Sequence, residues 1–597
     1  MDQLSAYYTA QSAQLKSDIL RLRQRSRYFM TGEILTFLAS IGWVVAFTTH
    51  WGEAWMLWCA ALFLALYVFV RRRDEANSTR MERLSAQCRV YDHELQYLHG
   101  DFSCFDDGTR YNNPQEPFAF DLDVFGPQSL FNRIDRTLTT GGSDYLAACL
   151  SRLSLSREQG LQRRQTVDAL AVEKEWRARY LACAADRKID TQRVAESFAA
   201  LKQLNLSSFT ASKWMPYVAW ASLGVLAGLT AVSALTSLPA SVPVLWATGQ
   251  LLYVCLFCRG TLTKVTRQID ASSRQMTAYA EIVTVMASLR EKSDKPEELQ
   301  MLVDSVAEAE VSFAEFSRLL ADFDRCNSFM GQIIYSLTFM TVFLIHRFLR
   351  WQQTFAGRME QWMEAISRLD ALVSMATFRF NEPASGTAEI VESDKMIYEA
   401  CGLYHPFLGA KAVRNDFSIS DSHYYIITGA NMAGKSTFLR SVGINYVLAR
   451  NGMPVFADRL KVSVYSLFSS MRTTDDLAHG ISYFNAELLR LKQLIAYCQS
   501  QPHTLIILDE ILKGTNSLDK LNGSRLFLEH ISRLPVSGII ATHDLELSKM
   551  EERNGGRFHN YCFEIELSDR VSYSYKLTQG VARNQNATFL LKQILNT

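Results

Sequence analysis

The chain lacks an excess of charge of either sign: of its 597 residues, 62 are Lys or Arg and 61 are Asp or Glu, a formal net charge of +1. That balance excludes a global basic field drawing the whole protein onto nucleic acid, and leaves only a local basic face for such contact. Paired cysteines are missing as well. The 11 cysteines are scattered without metal-ligand spacing. Cys255 and Cys258 come closest, but they sit inside an apolar segment, where thiols pack as small hydrophobes. A disulfide framework and a zinc ribbon are thereby set aside, and a reducing compartment is expected. No cleavable leader is expected, since the first apolar segment begins after about thirty residues with no small-residue cleavage pattern behind it.

What the chain has is length and long apolar runs. Single cores rarely exceed roughly 250 to 300 residues, so several domains are expected. Residues 1–28 read as a polar helix ending in Arg21, Arg23, Arg25 and Arg27. Two apolar runs come next, 34–49 and 54–70, joined by a short link and stopped by Arg71, Arg72 and Arg73. About 20 apolar residues span a bilayer, and Tyr28, Phe29, Trp51 and Trp55 extend these runs at their ends. Arginines on both outer ends and none in the link put both ends in the cytosol. A second pair, 215–238 and 242–258, turns at Pro239 and Pro243 between Lys213 and Arg259, and the same rule gives the same orientation. Gly224 and Gly228 lend it a face of small residues. Residues 329–345 are apolar but interrupted by Gln332, Ser336 and Thr338. They are not read as a span, because an odd span would place the rest of the chain on the side opposite the basic flanks. Residues 262–380 read as long helices broken near 292–296, and from about 390 short apolar runs alternate with helices, the pattern of a mostly parallel sheet.

The chemistry-bearing motifs lie in that last part. Residues 424–439, YYIITGANMAGKSTFL, set a strand-like run before the Walker A spacing and a helix-like face after it. In such a loop backbone N–H groups converge on phosphate, the lysine neutralises the β/γ-phosphates and the following hydroxyl ligates Mg²⁺. Residues 505–519, LIILDEILKGTNSLD, end a buried strand in Asp509, which supports Mg²⁺, and Glu510, placed to polarise an attacking water. Residues 538–543 end another strand in Thr542 and His543, and carboxyl ends of strands are where open α/β sheets carry ligands.

Taken together these stretches resemble the MutS family. TGANMAGKSTFLRSVG is similar to that family's Walker A region, ILDEILKGTNSLD to its Walker B and D-loop, ATHDLEL to its histidine switch, and DDLAHGISYFNAEL (475–488) to its signature stretch. Upstream, DLDVFGPQSLFNRIDRTLTTGG (121–142) and RRQTVDALA (163–171) resemble the start of the MutS core, and WMEAISRLDALVSMA (362–376) the end of its lever helices. The resemblance implies a dimeric ATPase using ATP and Mg²⁺. Gly429, Ala430, Asn431, Met432, Ala433, Gly434, Lys435, Ser436 and Thr437 would hold the nucleotide, with Asn431 near the γ-phosphate. Ser436 and Asp509 would hold the metal, Glu510 would be the base, His543 would report the γ-phosphate, and Ser482 would reach the partner's ATP. Lys513 is either a basic neighbour of the site or a solvated lysine. Three departures limit the transfer. No room is evident for the family's mismatch-reading amino-terminal domain, and Phe313-Ala314-Glu315 carries its Phe-x-Glu letters only inside a helical pattern. The aromatic that usually stacks on adenine is replaced near 412–415, so Tyr575 is read either as a substitute ring or as a plain strand tyrosine. Residues 578–597 lack an obvious dimerising helix-turn-helix.

The expected architecture is therefore multidomain: an α-helical core and lever domain with two transmembrane helical hairpins, and a C-terminal α/β P-loop ATPase domain. Its expected boundaries are a cytosolic N-terminal helix (1–29), hairpin one (30–71), a linker (72–118), the first part of the core (119–213), hairpin two (214–259), the helical lever (260–385) and the ATPase domain (386–597). The expected place is a bacterial inner membrane with the ATPase in the cytoplasm, and the expected partners are ATP, a second copy, the lipid bilayer, and DNA read by backbone or shape. Two other readings stand beside this one. One is a nucleotide-gated membrane scaffold that acts on an unknown protein partner without DNA. The other is an ABC-type transporter component, disfavoured by the missing LSGGQ-type signature and by spans split around a soluble core.

Overall fold

The computed structural model describes residues 2–49, 53–184, 188–203, 212–236, 238–258, 260, 263–265, 273–292, 295–327, 329–355, 357–472, 483–553, 556–567 and 571–583. The chain opens with helix Asp2–Thr49, 48 residues long, and doubles back through helix Ala54–Leu98, 45 residues long. At 1.5 Å per residue each is a rod of roughly 70 Å. Residues 72–98, expected as linker, continue the returning helix, because nothing between Arg71 and Leu98 breaks a helix: the stretch has no Pro or Gly. The polar ends of the two helices are laced together by side chains. Ser12 Oγ donates to Asp92 (2.6 Å), Ser26 Oγ to Asp74 (2.8 Å), and the Asn77 amide to the Leu22 carbonyl (3.1 Å). The apolar ends meet through Trp43 and Trp55, ring centroids 5.4 Å apart.

This rod is rooted on the core. Tyr8 OH donates to Asn381 Oδ1 (2.6 Å) and Tyr97 OH to Glu382 Oε1 (2.7 Å), at the very end of helix Met359–Asn381. That helix is the axis of the core and is buried along most of its length. Its Asp370 is fully buried and accepts the Leu138 and Thr139 N–H groups, the Thr139 hydroxyl and the Tyr180 hydroxyl. Burial pushes Asp370 up to about 6, with those donors opposing it. Gly142 of the TTGG turn is required by this contact, since a Cβ there would lie 2.2 Å from Asp370 Oδ2.

The second apolar pair forms helices Met215–Leu235 and Ser241–Phe257, the latter only 17 residues long. Gly224 and Gly228 meet nothing within 4 Å, so the small-residue face packs on nothing within the described chain. The apolar segment near 329–345 is a bent pair, Gly331–Leu337 and Met340–Phe355, turning 86° between the limbs. Phe339, at the bend with φ 53°, is buried with Val342 and Ile345 against Met215, Ala219, Val254 and Cys258. Helix Glu297–Asn327 runs alongside and buries Phe313 as core.

Strands begin after the core helix, in the chain order β1 (Ala388–Ile390), β2 (Ile397–Leu403), β3 (Asn415–Ser420), β4 (Tyr424–Gly429), β5 (Arg459–Val462), β6 (Ser466–Ser470), β7 (Thr504–Asp509), β8 (Val536–Thr542), β9 (Phe558–Leu567) and β10 (Val571–Gln579). A small sheet has the order β1-β5-β2-β3, and a larger one β10-β9-β4-β8-β7-β6. In the larger sheet β9, β4, β8, β7 and β6 run parallel and only β10 is antiparallel. β4 and β8 are buried throughout, as expected of largely apolar strands covered on both faces.

The core docks on this domain through the DLDVFG segment. Buried Asp121 accepts the Ser469 hydroxyl (2.8 Å) and the Arg472 N–H (2.8 Å) and lies 3.5 Å from Arg490. Asp123 pairs with Arg440 (3.2 Å) and with Arg472. Leu122 fills the space beside Gly443, where a Cβ would lie 2.7 Å from it.

Candidate functional site

β4 ends at Gly429, and the loop 430–434 delivers the chain into helix Lys435–Arg450. Two residues make the turn possible. Gly434 has φ 104° and its absent side chain leaves room for the Tyr575 ring, 3.1 Å from where a Cβ would stand; Met432 has φ 67° and is exposed. No side chain caps the helix start, so its first N–H groups face the cavity with the positive end of the helix dipole behind them.

The cavity has a volume of about 660 Å³. Asn431, Met432, Ala433, Gly434, Lys435, Ser436 and Thr437 line it from the loop, Asp509 and Glu510 from the end of β7, His543 from beyond β8, and Tyr575 from β10. Gly429 and Ala430 do not line it; their carbonyls accept the Lys435 ammonium at 2.9 and 3.0 Å. Burial pushes Lys435 down to about 8, while Asp509 and Glu510 pull it up. Glu510 has φ 59° and its N–H donates to Ala541 O (2.9 Å), which ties the end of β7 to β8. Its carboxylate takes His543 Nε2 at 3.0 Å on one oxygen and Lys520 Nζ at 3.3 Å on the other. Burial, then the Lys435 charge, push the His543 imidazole below its ordinary value against the pull of Glu510. The Lys435 ammonium lies beside the same ring, 3.4 Å from Nδ1 and 3.3 Å from Nε2. Ser436 and Asp509 supply oxygen donors to one cavity, the ligand chemistry Mg²⁺ takes. Ser482 lies outside the described residues, as does most of the C-terminal stretch 578–597.

Tyr575 sits in a bulge of β10, between Tyr573 and Leu577. Asn415 clasps the bulge: its amide donates to Tyr575 O (3.1 Å) and its carbonyl accepts Leu577 N–H (2.8 Å). The segment 412–415, noted for its missing aromatic, thus holds another ring in place. Lys513 also lines the cavity, and its backbone N–H donates to Glu487 Oε1 (3.0 Å).

Sequence reasoning missed one wall of the cavity. Tyr404 and His405 close it from the loop after β2. The signal was the His-Pro pair: His405 accepts the Phe407 N–H (3.2 Å) and Pro406 opens the short helical turn Pro406–Lys411. Burial, helped by Arg440 and Arg133, pushes His405 down to about 3. Lys520 was missed as well, because its partner Glu510 is brought to it by a turn of chain.

The fold and the cavity define an α/β domain that presents a glycine loop, two acidic residues and a histidine at the carboxyl ends of β4, β7 and β8. Residues 425–589 match the family model described as MutS domain V. Relatives include the DNA mismatch repair protein MutS of Acetivibrio thermocellus, 31% identical over 238 residues (38% of this chain, 27% of the relative). The DNA mismatch repair protein MSH2 of Zea mays is 32% identical over 250 residues (38% and 26%), and the MutS of Aquifex pyrophilus 34% over 176 residues (29% and 20%). This chain covers 27% of the length of the first of these relatives. Over this C-terminal part the chain is similar to the MutS family.

Proposed function

We propose that the protein is a membrane-anchored ATPase whose nucleotide cycle drives a conformational switch. The observation that carries the reading is the convergence in one cavity of an uncapped helix start, the buried Lys435 ammonium, and the carboxylates of Asp509 and Glu510. ATP with Mg²⁺ supplies the phosphoanhydride and the charge that offsets its oxygens. The chain does the rest. The loop N–H groups and Lys435 bind the phosphates, and Ser436 and Asp509 hold the metal. Glu510 takes a proton from the water that bonds to the γ-phosphorus as the bond to the β–γ bridging oxygen breaks. His543, touching both Lys435 and Glu510, reports whether that phosphate is present. Asn431 lies on the γ-phosphate side, Tyr575 packs on the base, and Ser482 serves the ATP of a second copy, so that a homodimer closes around two nucleotides.

The anchor is supported by three helices long and apolar enough to cross a membrane, within Asp2–Thr49, Trp55–Leu98 and Met215–Leu235, whose apolar windows are only 11%, 6% and 6% buried. Water does not favour such a surface: Trp58 is 77% and Leu62 68% exposed. Helix Ser241–Phe257, at 17 residues, is short of a full span and closes the second hairpin as a partner of Met215–Leu235. The names of the relatives favour DNA as the substrate, bound by backbone or shape. The near-zero net charge favours the second reading, a scaffold that switches protein partners.

One experiment on the detergent-solubilised full chain tests both levels. Glu510→Gln is expected to bind ATP normally and to lose hydrolysis by at least about 100-fold, with Lys435→Ala as the variant that fails to bind; parental turnover in Glu510→Gln overturns the ATPase reading. The trapped variant is then titrated with duplex at several salt concentrations. A steep negative salt slope supports DNA, and its absence supports the scaffold.

A further inference from the structure

Glu510 has a fixed backbone and a side chain with three free torsions. Its left-handed φ of 59° and its N–H bond to Ala541 O set the Cα between β7 and β8. Nothing in that backbone chooses among carboxylate orientations. Two side chains do. His543 Nε2 lies 3.0 Å from Oε1, on the cavity side, and Lys520 Nζ lies 3.3 Å from Oε2. Lys520 is no loose surface lysine, since its side chain is 22% exposed and that of Glu510 17%. It stands in the first turn of helix Ser517–Ile531, whose start is fixed by Asn516: its Oδ1 accepts the Asp519 N–H (3.0 Å) and its carbonyl the Lys520 N–H (2.9 Å). The ammonium is thus held by an element separate from β7 and β8.

We propose that Lys520 is a positioning residue for hydrolysis, which with His543 holds the Glu510 carboxylate in the orientation that receives the proton of the attacking water. The inference rests on the ATPase reading of the same cavity. Lys520 lies outside the glycine loop and touches neither phosphate-binding nor metal-holding residues in the contacts described, so it acts on the rate of the chemical step and leaves nucleotide affinity alone. Ordering a flexible base before the reaction removes an orientational cost from the barrier.

The test is steady-state hydrolysis by the full chain with Lys520→Met, Lys520→Gln and Lys520→Arg, alone and combined with Glu510→Gln. Both neutral substitutions are expected to lower kcat about ten-fold while KM and the affinity for a non-hydrolysable ATP analogue stay within about two-fold, and Arg restores kcat to within about three-fold because it keeps the cation. In the Glu510→Gln background either neutral substitution adds no further loss. A kcat equal to or above the parent's in a neutral variant that binds the analogue normally overturns the proposal. So does an additive loss in the Glu510→Gln background, or a loss confined to KM. Parental turnover in Glu510→Gln alone brings down the ATPase reading and this proposal together, whereas a dead Glu510→Gln beside a fully active Lys520→Met removes only Lys520.

Discussion

His405 shows how one side chain in the cavity wall sets a response to acid. It is 7% exposed, accepts the Phe407 N–H, and meets the Phe407 ring edge-on at 4.7 Å. Its folded-state value of about 3 lies below the ordinary value of 6.5, so between these the unfolded chain binds a proton that the native site refuses. Stability from this group is therefore complete above pH 6.5 and is lost as pH falls toward 3, about 2 kcal/mol being gone by pH 5. His405→Asn keeps an acceptor for Phe407 and removes the titration. Its thermal midpoint is expected to fall less than the parent's between pH 7.5 and pH 5, and equal falls would show that His405 does not govern the acid limb. The residues of the glycine loop and of the ends of β7 and β8 were legible in the sequence because each set is contiguous and its spacing is its chemistry. Tyr404 and His405 were not, since they reach the cavity from a loop whose own sequence carries no catalytic signature, and Lys520 was not, since only the fold sets it against Glu510.

Between elements, the docking of the core on the α/β domain turns on a single buried carboxylate. Asp121, 1% exposed, joins the end of β6 through Ser469 and Arg472 to helix Tyr483–Ser500 through Arg490, whose side chain is 10% exposed. Asp121→Ala leaves Arg490 without its only carboxylate among the described contacts, and removing one member of a buried pair costs about 3 kcal/mol. A lowered thermal midpoint is expected, with faster proteolysis near residues 116–126; an unchanged midpoint would show that Leu122 and the Asp123 ion pairs hold the docking without Asp121. Arg440 on the helix after the glycine loop and Arg472 before 473–482 both pair with Asp123. This segment therefore connects the helix after the glycine loop with the chain leaving β6. The DLDVFG motif was visible in the sequence as a resemblance to the core's beginning. That it clamps two parts of the α/β domain was not, because its partners lie more than 300 residues downstream.

For the whole molecule, the membrane reading makes the sharpest prediction. Two apolar pairs leave the core, and the first continues into a polar stalk rooted by Tyr8 and Tyr97 at the end of helix Met359–Asn381, where the chain enters its strands. The full chain expressed in bacteria is expected to stay in the pellet after alkaline carbonate extraction. A variant with Lys at Leu38, Val45, Leu62 and Phe69 is expected to lose insertion of the first hairpin, read as new protease access to residues 34–70. Release of the parent protein into the soluble fraction would remove the anchor. The bent pair around Phe339 packs on the second hairpin, and its two limbs together are long and apolar enough to count as a fourth span broken at the bend.

The sequence by itself determined the apolar runs with their arginine borders, the strand-loop-helix of residues 424–439, and the acidic and histidine strand ends, because these are local patterns whose period and spacing are set by backbone geometry and phosphate chemistry. Only the tertiary structure decided that residues 72–98 prolong a helix, that Asp370 is the buried hub around which the TTGG turn closes, that Asn415 holds Tyr575 over Gly434, and that Glu510 stands between His543 and Lys520. Each of these is a contact between distant segments, fixed by packing volume and by the need of buried polar groups for partners, and no local pattern in the chain records which segment will supply them.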